Sequence, residues 1–188
     1  MTFSGEIPIP GVRGLEHTAD VGLEVEGGDL SEVFLRGALG AMWLVLEREP
    51  ELDETEPAVK DGEGCVEHGG GGASLGGEED RARDGDTPLL RRTLELTEED
   101  LPSLFRSWLR ALLFWDETEG FVTTGAALAF LPVPLCSASD GQAFGLQARV
   151  EGGTDTGPRV REIKGVTLHG LMLERRGEGW YGRVIVDV

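Results

Sequence analysis

Residues 160–188 read VREIKGVTLHGLMLERRGEGWYGRVIVDV. Two runs rich in apolar and β-branched residues, 160–174 and 180–188, flank RRGEG at 175–179. The glycines and polarity of RRGEG predict a tight turn, so the two runs are expected to pair as an antiparallel hairpin. In the second run Val184 and Val186 alternate with Ile185 and Asp187, the period-two pattern of a strand with one buried face.

Further strands are expected at roughly 21–26, 89–96 (LLRRTLEL), 121–130 (FVTTGAALAF) and 143–150 (AFGLQARV). Two segments carry the helical period instead. In 29–47 the positions Leu30, Val33, Phe34, Gly37, Ala38, Ala41, Met42 and Val45 make one face. Asp29 and Glu32 form a capping-box pair at its start. Gly37 and Ala38 are small enough for close approach to a sheet. In 97–115 the stripe is Leu101, Leu104, Phe105, Trp108, Leu109 and Leu112, with Thr97 as the expected cap and DETEG at 116–120 as the break. The fold class is therefore α+β: two amphipathic helices against a mostly antiparallel sheet.

The chain has 188 residues, suited to one domain with an insertion, and a formal net charge of −18 at pH 7. That sign repels phosphate backbones, so direct nucleic-acid binding is not expected. Residues 47–86 hold 14 acidic and 4 basic residues and the glycine-rich stretch GEGCVEHGGGGASLGG. Such a piece has little to bury, and the 47–88 stretch is expected to be an inserted flexible loop within a single 1–188 domain. GGGG at 69–72 is not followed by Lys-Ser or Lys-Thr, so it is no phosphate cradle. Cys65 and Cys136 belong to no CxxC pair, which speaks against a disulfide framework or a cysteine zinc site. MTFSGEIPIPG has no signal-peptide pattern and no apolar run is long enough for a membrane, so a cytoplasmic protein without membrane contact is expected.

The chemistry gathers at the ends of two strands. In GLEHTADVGLEVE at 14–26, Val21, Leu23 and Val25 alternate with Gly22, Glu24 and Glu26, and His17, Thr18 and Asp20 stand at the mouth. HTAD alone also fits a turn cap. At the other end Asp187 lies beside the terminal carboxylate of Val188, and two such groups repel unless a cation offsets them. If the last strand runs beside the first, Asp20 adds a third oxygen donor, a set suited to a hard divalent cation: Ca2+, Mg2+ or Mn2+. EIKGVTLHG at 162–170 brings Lys164, Thr167 and His169 into a strand expected to pair with the last one. Lys164 is one of two lysines against fifteen arginines, which suggests a point-charge role, although a surface lysine also fits.

LEHTADVG, SLFRSWLRALLFWDETEG, IKGVTLHGLML and RVIVDV occur in this order across most of the chain outside 47–88 and 132–142. Together they resemble the archease family. The resemblance implies a small protein of the strand–helix–strand–strand type. It implies a protein cofactor of the RtcB-type tRNA-splicing RNA ligase, which joins 2′,3′-cyclic phosphate or 3′-phosphate ends to a 5′-hydroxyl. Members promote GTP-dependent guanylylation of the ligase and so its multiple turnover. The family's metal site falls on Asp20, Asp187 and Val188, and its functional lysine on Lys164. The long acidic segment departs from typical members. Two other readings remain open on the residues: a metal-dependent phosphohydrolase using His17, Asp20, His169 and Asp187, and a stand-alone calcium-binding module.

Overall fold

The computed structural model describes residues 7–16, 20–50, 52–53, 74–76, 90–134 and 142–188. Expectations for His17, Thr18, Cys65, Cys136 and most of 47–88 lie outside the described residues.

Alternation along the expected terminal strands has the outcome that apolar burial dictates. Strand β1 (Val12–Glu16) pairs antiparallel with β2 (Asp20–Gly27). Helix α1 (Leu30–Leu46) follows, then the short strands β3 (Leu52–Asp53) and β4 (Ser74–Gly76), and β5 (Leu90–Glu98). Helix α2 (Leu101–Glu119) leads into the long strands β6 (Phe121–Pro134) and β7 (Gln142–Asp155). The chain closes with β8 (Gly165–Val166), β9 (Met172–Arg176) and β10 (Gly179–Asp187). Leu23 and Val25 on β2 and Val184 on β10 are fully buried on the shared inner face.

One sheet is expected from the sequence; there are two, each five-stranded and antiparallel throughout. The first has the order β1-β2-β10-β8, with β9 also on β10; the second has β3-β7-β5-β4, with β6 on the other side of β7. Both helices touch strands of both sheets. The reason is visible on α1, where Gly40, Leu44 and Leu46 are buried in addition to the expected stripe. A helix with apolar residues beyond one stripe needs cover on more than one side.

Residues 52–53 and 74–76 lie within the stretch expected to be a loop, yet they pair with β7 and β5 respectively.

At the start of α1 the Asp29 side chain accepts from the Glu32 amide at 2.9 Å, and Glu32 reaches back to the Gly28 amide at 2.6 Å. Gly37 makes its close approach to the other helix rather than to a sheet, since a Cβ there would meet the Phe105 ring at 2.7 Å. Trp108 Nε1 donates to the Phe34 carbonyl at 2.9 Å and ties the two helices in the core.

Helix α2 begins later than expected. Thr97 remains in β5, and Asp100 is the cap, accepting from the Ser103 amide at 2.7 Å. Pro102 decides this: it fits a first turn, where its missing N–H is not needed, but not a position deeper in a helix. The helix also runs through 116–119 and stops at Gly120, whose φ of +68° closes it.

The expected 160–174 strand is broken. Gly165–Val166 pairs with Val186 and Asp187, and Met172–Arg176 pairs with residues 179–183. Between these stretches five residues, 167–171, face only Val184 and Ile185. The surplus loops outward through Leu168 and His169 and returns at Gly170, which takes a φ of +64°. Gly177 supplies the positive φ, +60°, of the two-residue hairpin turn.

Residues 155–161 lock the helix ends. The Asp155 carboxylate is wholly buried and receives Arg48 through two bonds of 2.7 and 3.0 Å. Arg159 pairs with Asp116 at 2.5 Å, and Arg161 donates to the Leu44 carbonyl at 3.1 Å. The Val160 amide donates to the Val45 carbonyl at 2.8 Å. Arg161 and the Val160 amide thus meet orphan carbonyls at the negative end of α1.

Candidate metal centre

Strands β2 and β10 run antiparallel in a register that sets Asp20 directly opposite Asp187. Residues directly opposite share a face, with Cβ atoms about 4.5–5.5 Å apart. Inward residues of both strands belong to the core, so the two carboxylates lie on the outer face, where Asp187 is exposed and Asp20 half-buried. Gly165 of β8 stands opposite Asp187 on its other side.

Lys164 adjoins this end of the sheet. Its amide donates to the Asp187 carbonyl at 2.9 Å, and its Nζ donates to the main-chain oxygen of Val188 at 3.0 Å. The lysine thus holds the tip of β10 by main chain and side chain at once. Arg106 of α2 secures the same corner, its Nε donating to the Val166 carbonyl at 2.7 Å.

Asp20, Asp187, Val188 and Lys164 therefore converge. His169 does not join them through any contact: it lies exposed in the 167–171 excursion, with no hydrogen bond or ion pair among the described residues. His17 lies outside the described residues. Among the described residues no three His, Cys, Asp or Glu side chains gather as a metal-holding group. The acidic side chains form a pair, to which Val188 adds main-chain oxygen.

Two like charges directly opposite on a sheet destabilise it. Among the described residues neither Asp20 nor Asp187 has an ion-pair partner. A hard cation bound by oxygen suits this donor set, two carboxylates and a main-chain oxygen at the end of two central strands, where water would complete the shell.

Farther along the same outer face, Tyr181 OH donates to Glu24 Oε1 at 2.6 Å. Burial, then this bond to a carboxylate, raises the phenol pKa above its ordinary value of 10.0. The Arg176 guanidinium stacks on the ring, 3.5 Å from its centroid. Sequence reading passed over Arg106 and Tyr181. Strand alternation puts Tyr181 on the face of Asp187, but nothing local marks Arg106, whose partner is 60 residues away.

The archease protein family model (MTH1598/TM1083) matches residues 82–188. The chain belongs to the archease family. The matched range contains Lys164, Asp187 and Val188 but begins after Asp20, which the β2–β10 pairing brings to them. This archease is 27% identical over 177 residues to the protein archease of Methanosarcina mazei, covering 93% of each chain. It is 25% identical over 177 residues to that of Archaeoglobus fulgidus, covering 94% of this chain and 98% of the relative. The solution structure of Methanobacterium thermoautotrophicum protein 1598 is similar with a TM-score of 0.56 at 23% identity, covering 95% of this chain and 99% of that one. That likeness is one of fold. No described helix of this archease is long and apolar enough to cross a membrane.

Proposed function

We propose that this archease is a protein cofactor of an RtcB-type RNA ligase, promoting GTP-dependent guanylylation of the ligase and repeated turnover in tRNA splicing. On this reading it acts in the cytoplasm, has no catalytic cycle of its own, and touches the ligase rather than RNA. Membership of the archease family supports the partner. One observation carries the site: Asp20 opposite Asp187, beside a Val188 oxygen held by Lys164.

In this reading Asp20, Asp187 and the main-chain oxygen of Val188 hold a divalent cation, Ca2+, Mg2+ or Mn2+. When bound, the cation supplies positive charge of the kind that stabilises transferring phosphoryl groups. The chain's own part is positional. The β-ladder fixes the spacing of the carboxylates, their place at the end of two central strands leaves them open to a partner, and Lys164 keeps Val188 in place. Lys164 is thus a positioning residue, and its exposed ammonium is a second positive group near the ligase. The net charge of −18 suits a partner that is basic around its RNA channel.

The test is ligation with limiting ligase at fixed GTP and divalent metal, with and without the protein. Wild type is expected to convert single turnover into many. Asp20→Asn is expected to abolish the gain with its circular dichroism unchanged. Lys164→Met is expected to reduce it, with half-maximal stimulation shifted to higher cation concentration. Full stimulation by a folded Asp20→Asn variant would remove the proposed site. Nucleotide hydrolysis by the isolated chain would favour a phosphohydrolase instead.

A further inference from the structure

Strand β6 reads FVTTGAALAFLPVP, 14 residues without a charge in a chain of net charge −18. Among the described residues it pairs with β7 alone, so its other edge carries unpaired main-chain groups. Burial shows that this edge is open. On the inner face Leu146, Ala148 and Val150 of β7 are buried, whereas their β6 neighbours Phe130, Leu128 and Ala126 are only half-buried. On the outer face Ala127 and Ala129 are exposed, and Leu131 is 43% exposed.

An open edge is a template for another strand, and proteins usually blunt it with charge, proline, a bulge or brevity. Here Arg13 stands on β1, and Glu174, Arg175 and Arg176 stand on β9. Strand β8 has two residues, and Arg106 takes its Val166 carbonyl. On β6 such devices stand only toward the ends. The register shift between Thr123 and Gly125 bounds one side, and Pro132, which lacks an N–H, bounds the other.

The stretch between them, 125–131, reads GAALAFL and complements itself in reverse. Laid antiparallel about a two-fold axis at Leu128, Gly125 faces Leu131 of the second copy and Ala126 faces its Phe130. Ala127 then faces Ala129, and Leu128 faces its own equivalent. The ends thus set a large side chain against a small one, and every residue keeps its face of the sheet. Gly125 has room for the incoming leucine, since a Cβ there would approach nothing but Glu151, at 3.7 Å.

We propose that β6 is a self-association edge: a second copy of this chain pairs antiparallel through 125–131 and makes the second sheets of two protomers continuous. Charge favours this occupant. Two molecules of net charge −18 repel across most of their surfaces, and they meet here along an uncharged strand that β7 flanks with Arg149 and Glu151, of opposite sign. The pairing is isologous, so it closes at two copies. A strand-to-strand contact about 24 Å long buries less than the roughly 1,200–2,000 Å2 of a stable complex, so the dimer is reversible and needs high concentration. None of these residues belongs to the Asp20–Asp187 site, and the inference does not depend on the ligase.

The test is sedimentation velocity of the full chain at physiological salt, with each variant checked for folding by circular dichroism. Wild type is expected to be monomeric at about 2 µM and dimeric at about 500 µM. Ala129→Lys, at an exposed site, is expected to stay monomeric throughout. Gly125→Leu is expected to weaken association about tenfold by crowding Leu131 of the second copy. Adding Leu131→Gly, which swaps the two sizes, is expected to restore it. Wild type still monomeric at about 500 µM overturns the proposal and leaves the edge to a strand of another protein. A dimer that survives Ala129→Lys, or that Leu131→Gly fails to restore, overturns it in favour of a different surface.

Discussion

Ile185 lies across Gly22 so closely that a Cβ on the glycine would come within 2.7 Å of the isoleucine Cδ1. The two are opposite in the β2–β10 register, one pair along on the face that carries Asp20 and Asp187. Ile185 is only 4% exposed although its face is the outer one. The glycine lets the side chain lie down over β2 and seal the sheet next to the carboxylates.

Gly22→Ala is therefore expected to destabilise the protein by about 1–3 kcal/mol, the range for overpacking. For a chain of this length that lowers Tm by roughly 2–4 °C for each kcal/mol. Stimulation of the ligase is expected to fall as well, because the displaced Ile185 disturbs the neighbouring acidic pair. Scanning calorimetry and the ligation assay check the two effects separately.

Asp20→Asn is expected to act with opposite signs in two media. In chelator it removes like-charge repulsion across the ladder and stabilises by about 0.2–1 kcal/mol. If the proposed cation binds, at one hundred times its Kd it is expected to add about 2.7 kcal/mol to wild type, and the variant is expected to lose that gain. Melting curves in EDTA and in Ca2+ or Mn2+ measure both. A cation-dependent rise equal in variant and wild type would count against the acidic pair.

Asp155→Ala leaves Arg48 and Arg159 without a carboxylate that is wholly buried in wild type. Breaking a buried ion pair from one side typically destabilises by about 3–5 kcal/mol. Urea denaturation is expected to show that loss, and amide exchange is expected to speed up at the C-terminal turn of α1. A loss under about 1 kcal/mol would mean that the network adds little.

Tyr181 is the only tyrosine in the chain, so phenolate absorbance reports it alone. Its folded-state pKa is raised by burial and by the bond to Glu24. The folded state then keeps the proton to higher pH than the unfolded chain does. This contribution to stability is full below the unfolded value near 10 and is lost as pH rises through the folded one. Spectrophotometric titration is expected to place the native midpoint above 10, and Glu24→Gln is expected to lower it.

Both helices and most long strands were legible because 3.6- and two-residue periods survive in the sequence wherever one face is buried. The meeting of Asp20 and Asp187 followed from the sequence only on the condition that the last strand runs beside the first; alternation fixes the face each occupies, and the register that sets them opposite belongs to the folded sheet. The start of α2 was also readable, but from Pro102 rather than from Thr97. What stayed hidden depends on contacts distant in sequence. Nothing near Arg48 announces Asp155, 107 residues away. The division into two sheets follows from burial around α1 beyond its main stripe. The 167–171 excursion follows from how many residues β10 can face, which no local pattern records.

Strand β10, which follows β2 by more than 150 residues, lies inside the first sheet, between β2 and the β8–β9 edge. A growing polypeptide thus leaves the Leu23 side of β2 waiting for a neighbour until residues 179–187 leave the ribosome. Any product broken off before them lacks half of the acidic pair along with the strand that completes the sheet. The acidic pair therefore forms only after both strands of this ladder are made, however early Asp20 emerges.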